Sequence, residues 1–98
     1  MFVHTVYFWL TEGVGKGRRI DFREGLQALA AIDEVKDLFY GEAVESERDV
    51  VDDSYDFGLT VLFENRAAHD VYQDHPLHKG FIDNFSDLWT RVRVYDYE

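Results

Sequence analysis

The opening segment MFVHTVYFWL carries apolar or aromatic side chains at both parities of a period-two pattern, with Phe2, His4, Val6, Phe8 and Leu10 alternating with Val3, Thr5, Tyr7 and Trp9. Successive strand side chains point to opposite faces, so Phe2 to Leu10 reads as a strand that needs cover on both sides. Glycines mark Glu12 to Gly17 as a loop. From Gly17 to Ile32 the period becomes helical, with Phe22, Leu26, Leu29 and Ala30 at i, i+4, i+7 and i+8. Gly25 falls on that same face. A mid-helix glycine costs about 1 kcal/mol against alanine, so an inward one implies either room kept for a ligand or tight packing.

Val35 to Val44 reads as a second strand, and Glu45 to Ser54, ESERDVVDDS, as a charged connection. Phe57, Leu59, Val61 and Phe63 alternate with Gly58, Thr60 and Leu62 in a third strand. Asn65 can cap a helix running to about Asp74, with Ala68, Val71 and Tyr72 on its apolar face and His69 turned outward. Pro76 starts a further short helix, and Leu88 to Tyr97 closes the chain as a fourth strand. No repeat or linker interrupts the pattern, so residues 1–98 form a single domain. The order β-α-β-β-α-β is that of a ferredoxin-like α+β fold, a four-stranded antiparallel sheet with helices on one face.

Such a sheet leaves its second face bare, and here that face carries at least Val3, Tyr7 and Trp9. A patch this aromatic calls for a partner surface. Two sheets packed face to face about a two-fold axis would bury it, giving a homodimer with a barrel-like shared core, a dimeric α+β barrel. The short chain favours the same outcome, because it hides only roughly 60–65% of its unfolded surface by folding alone.

Charge narrows the function. The net charge is −10, and seven arginines and three lysines are scattered along the chain, so neither nucleic acid nor an anionic membrane is an expected partner. The absence of cysteine excludes disulfides and fits a reducing compartment. With no apolar run of membrane-spanning length and no signal-peptide pattern, a cytoplasmic protein is expected.

The one proline gathers most of the candidate chemistry. In YQDHPLHKGF, Tyr72 to Phe81, Pro76 restricts His75 to extended backbone and starts a new helix. His75 then caps that helix. His78, Phe81, Ile82 and Phe85 follow at i, i+3, i+4 and i+7, so His78 leads an apolar face. Burial and a helix N-terminus both disfavour the imidazolium, leaving a neutral ring fit to act as a general base. Tyr72, one turn and a bend away, can offer its phenol to a carbonyl or a developing oxyanion. His4 looks toward the same space if its strand face is the helix-facing one. Gly25 and Phe81 complete the expected wall of a pocket for a small apolar carbonyl ligand. His75 and His78 alone do not make a zinc site, which needs three or four ligands, and the acidic loop lacks the ligand spacing of an EF-hand. No metal and no cofactor are expected.

Over nearly its whole length the chain resembles the stress-responsive α/β-barrel (Dabb) family. The resemblance rests on FVHTVYFW, KDLFYG, YDFGLTVLFEN, the closing VYDY and above all YQDHPLHKGFID. It implies a ferredoxin-like protomer and a dimeric α+β barrel. Most members of that family have no known activity. Plant polyketide cyclases similar to it close a tetraketide chain by aldol condensation with a tyrosine and a histidine of this motif, which implies acid–base roles for Tyr72 and His78 and a pocket position for His4. A cyclase pocket tyrosine of the first helix falls near Gly25 here, so the resemblance also implies a reshaped cavity. The chain is thus expected to be a stress-responsive dimeric protein of undetermined activity with a small apolar ligand pocket, in which Tyr72 and His78 can serve simply to tie the broken helix to the sheet, or in the alternative a cofactor-independent lyase or cyclase that uses Tyr72 and His78 on a carbonyl substrate.

Overall fold

The computed structural model describes residues 1–98. β1 (Phe2–Leu10) is followed by α1 (Lys16–Ala28) and a 3-10 turn (Leu29–Ala31), then β2 (Asp37–Glu42) and β3 (Phe57–Phe63). α2 (Arg66–Asp74), α3 (Pro76–Phe85), a second 3-10 turn (Ser86–Leu88) and β4 (Trp89–Tyr97) complete the chain. The strands form one antiparallel sheet in the order β2-β3-β1-β4. This is the ferredoxin-like α+β fold that the order of elements predicts, with β1 and β3 central and the helices packed on one face. No helix is long and apolar enough to cross a membrane.

The alternation in β1 decides the two faces. Phe2, His4, Val6, Phe8 and Leu10 are buried under the helices, while the residues between them are half-buried on the open face. Register carries this across the sheet, since Val6 faces Leu59 on β3 and Val94 on β4, and Phe8 faces Phe57 and Val92. Phe57, Leu59, Val61 and Phe63 therefore join the same core. Phe22 of α1 is fully buried, its ring 5.2 Å from that of Phe8, 5.3 Å from Phe57 and 5.7 Å from both Phe81 and Phe85. Truncating such a ring to alanine typically costs about 3–5 kcal/mol.

Three side chains depart from the sequence reading. α1 tightens into a 3-10 turn at Leu29–Ala31, and the altered pitch turns Ile32 inward in place of Ala30, which is exposed. On α2, Tyr72 is the buried anchor. At about 100° per residue, His69 and Ala68 lie within about 60° of it, whereas Val71 is a full step away. Val71 is accordingly 50% exposed, and His69, expected on the surface, is buried at 8% exposure. Asn65 caps α2 as expected, its side chain accepting from the Ala68 amide at 3.0 Å.

The glycine of α1 has a steric reason. A Cβ on Gly25 would stand 2.5 Å from one ring carbon of Phe85. The open space that glycine leaves is filled by Phe85, which lets α1 and α3 approach closely.

Candidate functional site

Between α2, α3 and the helix-facing side of β1 and β4 lies a cavity of about 180 Å³, lined by His4, Val6, Phe8, Tyr72, Gln73, His78, Phe81, Ile82, Val92 and Val94 among others. Val92 and Val94 line it while remaining 43% and 46% exposed, so the cavity opens along β4, the edge that the helices leave uncovered. Four residues expected at the site meet here: His4, Tyr72, His78 and Phe81. Gly25 does not line this cavity. It borders a neighbouring cleft with Phe85, and Phe81 and Leu29 stand in the wall between the two spaces.

Pro76 produces the local geometry that aims His78. His75 is the N-cap of α3 with extended backbone, and its Nδ1 accepts from the Leu77 amide at 3.1 Å. With its ring spent on the cap, His75 stays out of the cavity. One turn on, His78 Nδ1 lies 3.1 Å from the Gln73 carbonyl. A carbonyl can only accept, so Nδ1 carries the proton and Nε2 keeps the lone pair. Burial holds the His78 imidazole below its ordinary value of 6.5; the bond to Gln73 opposes the shift, while His4 and His69 add to it. The ring is therefore neutral near pH 7, with a basic nitrogen available.

Tyr72 packs its ring 4.7 Å from that of His78 and 6.0 Å from that of His4, centroid to centroid. Its hydroxyl bonds no protein group, yet no fully buried side-chain polar atom lacks a partner, so the hydroxyl reaches free space. Burial raises its pKa far above the ordinary 10, which keeps the phenol protonated and a donor at any working pH. His4, only 3% exposed, holds Asp96 at 2.6 Å through Nδ1. Burial lowers the His4 pKa, and Asp96 partly offsets that. As Asp96 accepts the Nδ1 proton, Nε2 of His4 is a second basic nitrogen.

Asp96 is the member that sequence reading missed. A signal exists, since Val92, Val94 and Asp96 alternate on one face of β4. Only the register, which sets Asp96 opposite His4, gives that alternation a meaning. His69 is the other omission: it stacks on Phe2 at 4.4 Å and lies 5.0 Å from His4, behind the cavity wall.

A larger cleft of about 280 Å³ lies on the open sheet face among Tyr7, Trp9, Asp52, Tyr55, Arg91, Arg93 and Tyr95. Size favours it, but chemistry does not, because the two imidazoles and the unpartnered phenol all converge on the smaller cavity. Arg91 lies over the Trp9 ring at 4.4 Å, and this face carries exposed Phe39, Tyr95 and Tyr97.

Comparison with known proteins finds similar chains and folds. The family model described as the stress responsive A/B barrel domain, Dabb, matches residues 2–98. Olivetolic acid cyclase of Cannabis sativa is 26% identical over 76 residues, covering 78% of this chain and 73% of the cyclase. Among solved structures, the hydroxynitrile lyase of Passiflora edulis superposes with a TM-score of 0.84 at 16% identity, covering 98% of this chain and 90% of the lyase. A dimeric ferredoxin-like protein of unknown function from Thermobifida fusca gives 0.80 at 22% identity, covering 98% of this chain and 88% of its own.

Proposed function

The chain belongs to the stress-responsive A/B barrel domain family, and from that premise we propose that it binds a small apolar carbonyl compound and acts on it as a lyase or cyclase by acid–base chemistry. The observation that carries this reading is the pairing, on one mostly apolar cavity, of a neutral imidazole with a phenol that has no protein partner. The olivetolic acid cyclase and the hydroxynitrile lyase among its relatives lend it support. The cavity volume suits a ligand of about one small ring.

In this reading the ligand enters along β4 and its carbonyl oxygen accepts a hydrogen bond from the Tyr72 hydroxyl. Nε2 of His78 takes the proton from the carbon next to that carbonyl. The electron pair moves to the oxygen, where the phenol stabilises the enolate. The enolate carbon then attacks a second carbonyl carbon of the same molecule, and the new alkoxide recovers a proton from the His78 imidazolium. His4, held by Asp96, fixes the inner end of the ligand, and Phe81 with Val6 and Phe8 excludes water around the anion. Gly25 acts at one remove by letting Phe85 and α3 sit close to α1.

The protein works as a homodimer through its open sheet faces in this proposal. The support is the aromatic surface of Tyr7, Trp9, Phe39, Tyr95 and Tyr97, together with the dimeric description of the Thermobifida fusca neighbour. A cysteine-free, acidic chain suits the cytoplasm. The deciding experiment is an NMR titration of the imidazoles with and without aromatic and β-polyketone ligands. A depressed His78 pKa with ligand-induced shifts at His78, Tyr72 and His4 is the expected result. An imidazole that answers to no ligand would leave His78 as a staple between α2 and α3 and defeat the proposal.

A further inference from the structure

Two buried histidines and a carboxylate meet beside the cavity, with only His4 in its wall, in an arrangement that hydrogen bonding alone does not exhaust. His4 comes from β1, His69 from α2 and Asp96 from β4, and one ligand atom of each lies within 4.8 Å of the others. His4 and His69 are 3% and 8% exposed, so neither is a casual surface imidazole. We propose that His4, His69 and Asp96 form a binding site for a divalent transition-metal ion of the zinc class.

The hydrogen bonds around His69 favour this role. Its Nδ1 lies 3.1 Å from a carboxylate oxygen of Asp70, which fixes the proton on Nδ1. The other nitrogen, Nε2, then carries the lone pair, which accepts from the Gln73 amide at 3.1 Å, a bond that a cation at Nε2 displaces. A carboxylate on the far nitrogen of an imidazole is the usual outer support of a metal-bound histidine. On the second histidine, the 2.6 Å contact between His4 Nδ1 and Asp96 shares one proton between two good ligand atoms. A cation can take the place of that proton as the ring's N–H moves from Nδ1 to Nε2, which leaves the imidazole neutral. Three protein ligands and one open position are the pattern of a zinc site that keeps an exchangeable ligand.

The fit requires modest movement. Tetrahedral bonds of about 2.0–2.1 Å place donors roughly 3.3 Å apart, so the 2.6 Å pair must open and the widest separation close by about 1 Å or more. Asp96 is the ligand able to give, because its side chain is 32% exposed near the end of β4. A chain of net charge −10 also concentrates cations around itself.

The test uses tag-free, full-length protein freed of metal by a chelator and titrated with Co²⁺ and Zn²⁺ alone. The expected result is one ion per chain, strong visible absorption of tetrahedral Co²⁺, its loss on adding Zn²⁺, and selective broadening of the His4 and His69 ring signals. Asp96→Asn and His69→Ala should each weaken binding at least about a hundredfold, and Asp70→Asn by a smaller factor of about tenfold, as for such supports. Should His69→Ala fail to fold, Asp96→Asn decides alone. His75→Ala, outside the cluster, should change nothing. Binding that survives Asp96→Asn unchanged, or Co²⁺ spectra of purely octahedral intensity, overturns the proposal by assigning the ion to the acidic surface. No binding at micromolar protein overturns it outright. The two proposals share His4 and Asp96 and are told apart at His78 and Tyr72, whose signals a carbonyl ligand shifts and whose rings lie outside the metal cluster.

Discussion

Replacing Tyr72 by phenylalanine separates a working residue from a structural one. The ring is 1% exposed and fills the space between His4, Phe63 and His78, at centroid distances of 6.0, 4.9 and 4.7 Å. Phenylalanine keeps all of that packing and removes one hydroxyl. The hydroxyl bonds no protein group, so the substitution breaks no intramolecular hydrogen bond. A polar group desolvated without a partner costs about 1–3 kcal/mol, and water in the cavity, each molecule needing about 30 Å³, recovers part of that. Expected stability therefore lies between unchanged and a gain of about 2 kcal/mol. For a domain of this size each 1 kcal/mol moves Tm by about 4–8 °C. The assay is urea unfolding of wild type and Tyr72→Phe at equal protomer concentration, because dimerisation contributes to apparent stability. Ligand affinity in the same pair should move the opposite way, weakening by about threefold to tenfold for one lost hydrogen bond. A stability loss beyond about 1 kcal/mol at unchanged m would show that the hydroxyl holds the fold together, and the reading of Tyr72 as a free donor would be wrong.

Acidification should destabilise the protein through its imidazoles. His4 and His78 have folded pKa values below the ordinary 6.5, so as pH falls below about 6.5 the unfolded chain takes up protons that the folded chain resists. Their contribution is complete above that value and declines until the depressed folded values are passed; His78→Ala should flatten the slope between pH 7.5 and 5.5, and an identical slope in the variant would refute the assignment. Gly25→Ala should lose about 1–2 kcal/mol, since a 2.5 Å clash with Phe85 belongs to the upper part, about 2–3 kcal/mol, of the overpacking range and helix propensity returns about 1. Phe85→Leu in the same chain should recover part of the loss, and full tolerance of Gly25→Ala alone would mean that α3 moves freely. Tyr7→Glu on the open face should give monomers by light scattering at micromolar concentration, and an intact dimer would move the interface elsewhere.

The sequence by itself determined the elements and which side of most of them is apolar. Period-two alternation fixed β1 and β3 to the residue, and Pro76 fixed the break between α2 and α3, because backbone sterics at proline act without regard to the rest of the fold. His75 as a cap and His78 as the leading inward residue followed from that local rule. β2 is shorter than the Val35 to Val44 that the pattern predicts: Asp37 to Glu42 pair with Leu62 to Phe57, and beyond them only single backbone bonds remain, Lys36 to Leu62 at 2.8 Å and Ala43 to Asp56 at 3.2 Å. What the tertiary structure alone decided was the set of residues that meet. His69 looked like a surface residue beside Asp70 until the helix phase, anchored by Tyr72, turned it inward. Asp96 is separated from His4 by almost the whole chain, and only strand register makes them neighbours. Gly25 sits on the expected face, but whether the space beside it holds a ligand or a side chain depends on Phe85, which arrives from α3. Local rules act over a few residues of chain, whereas the chemistry of this site is assembled from three strands and helices that only packing brings within hydrogen-bonding distance.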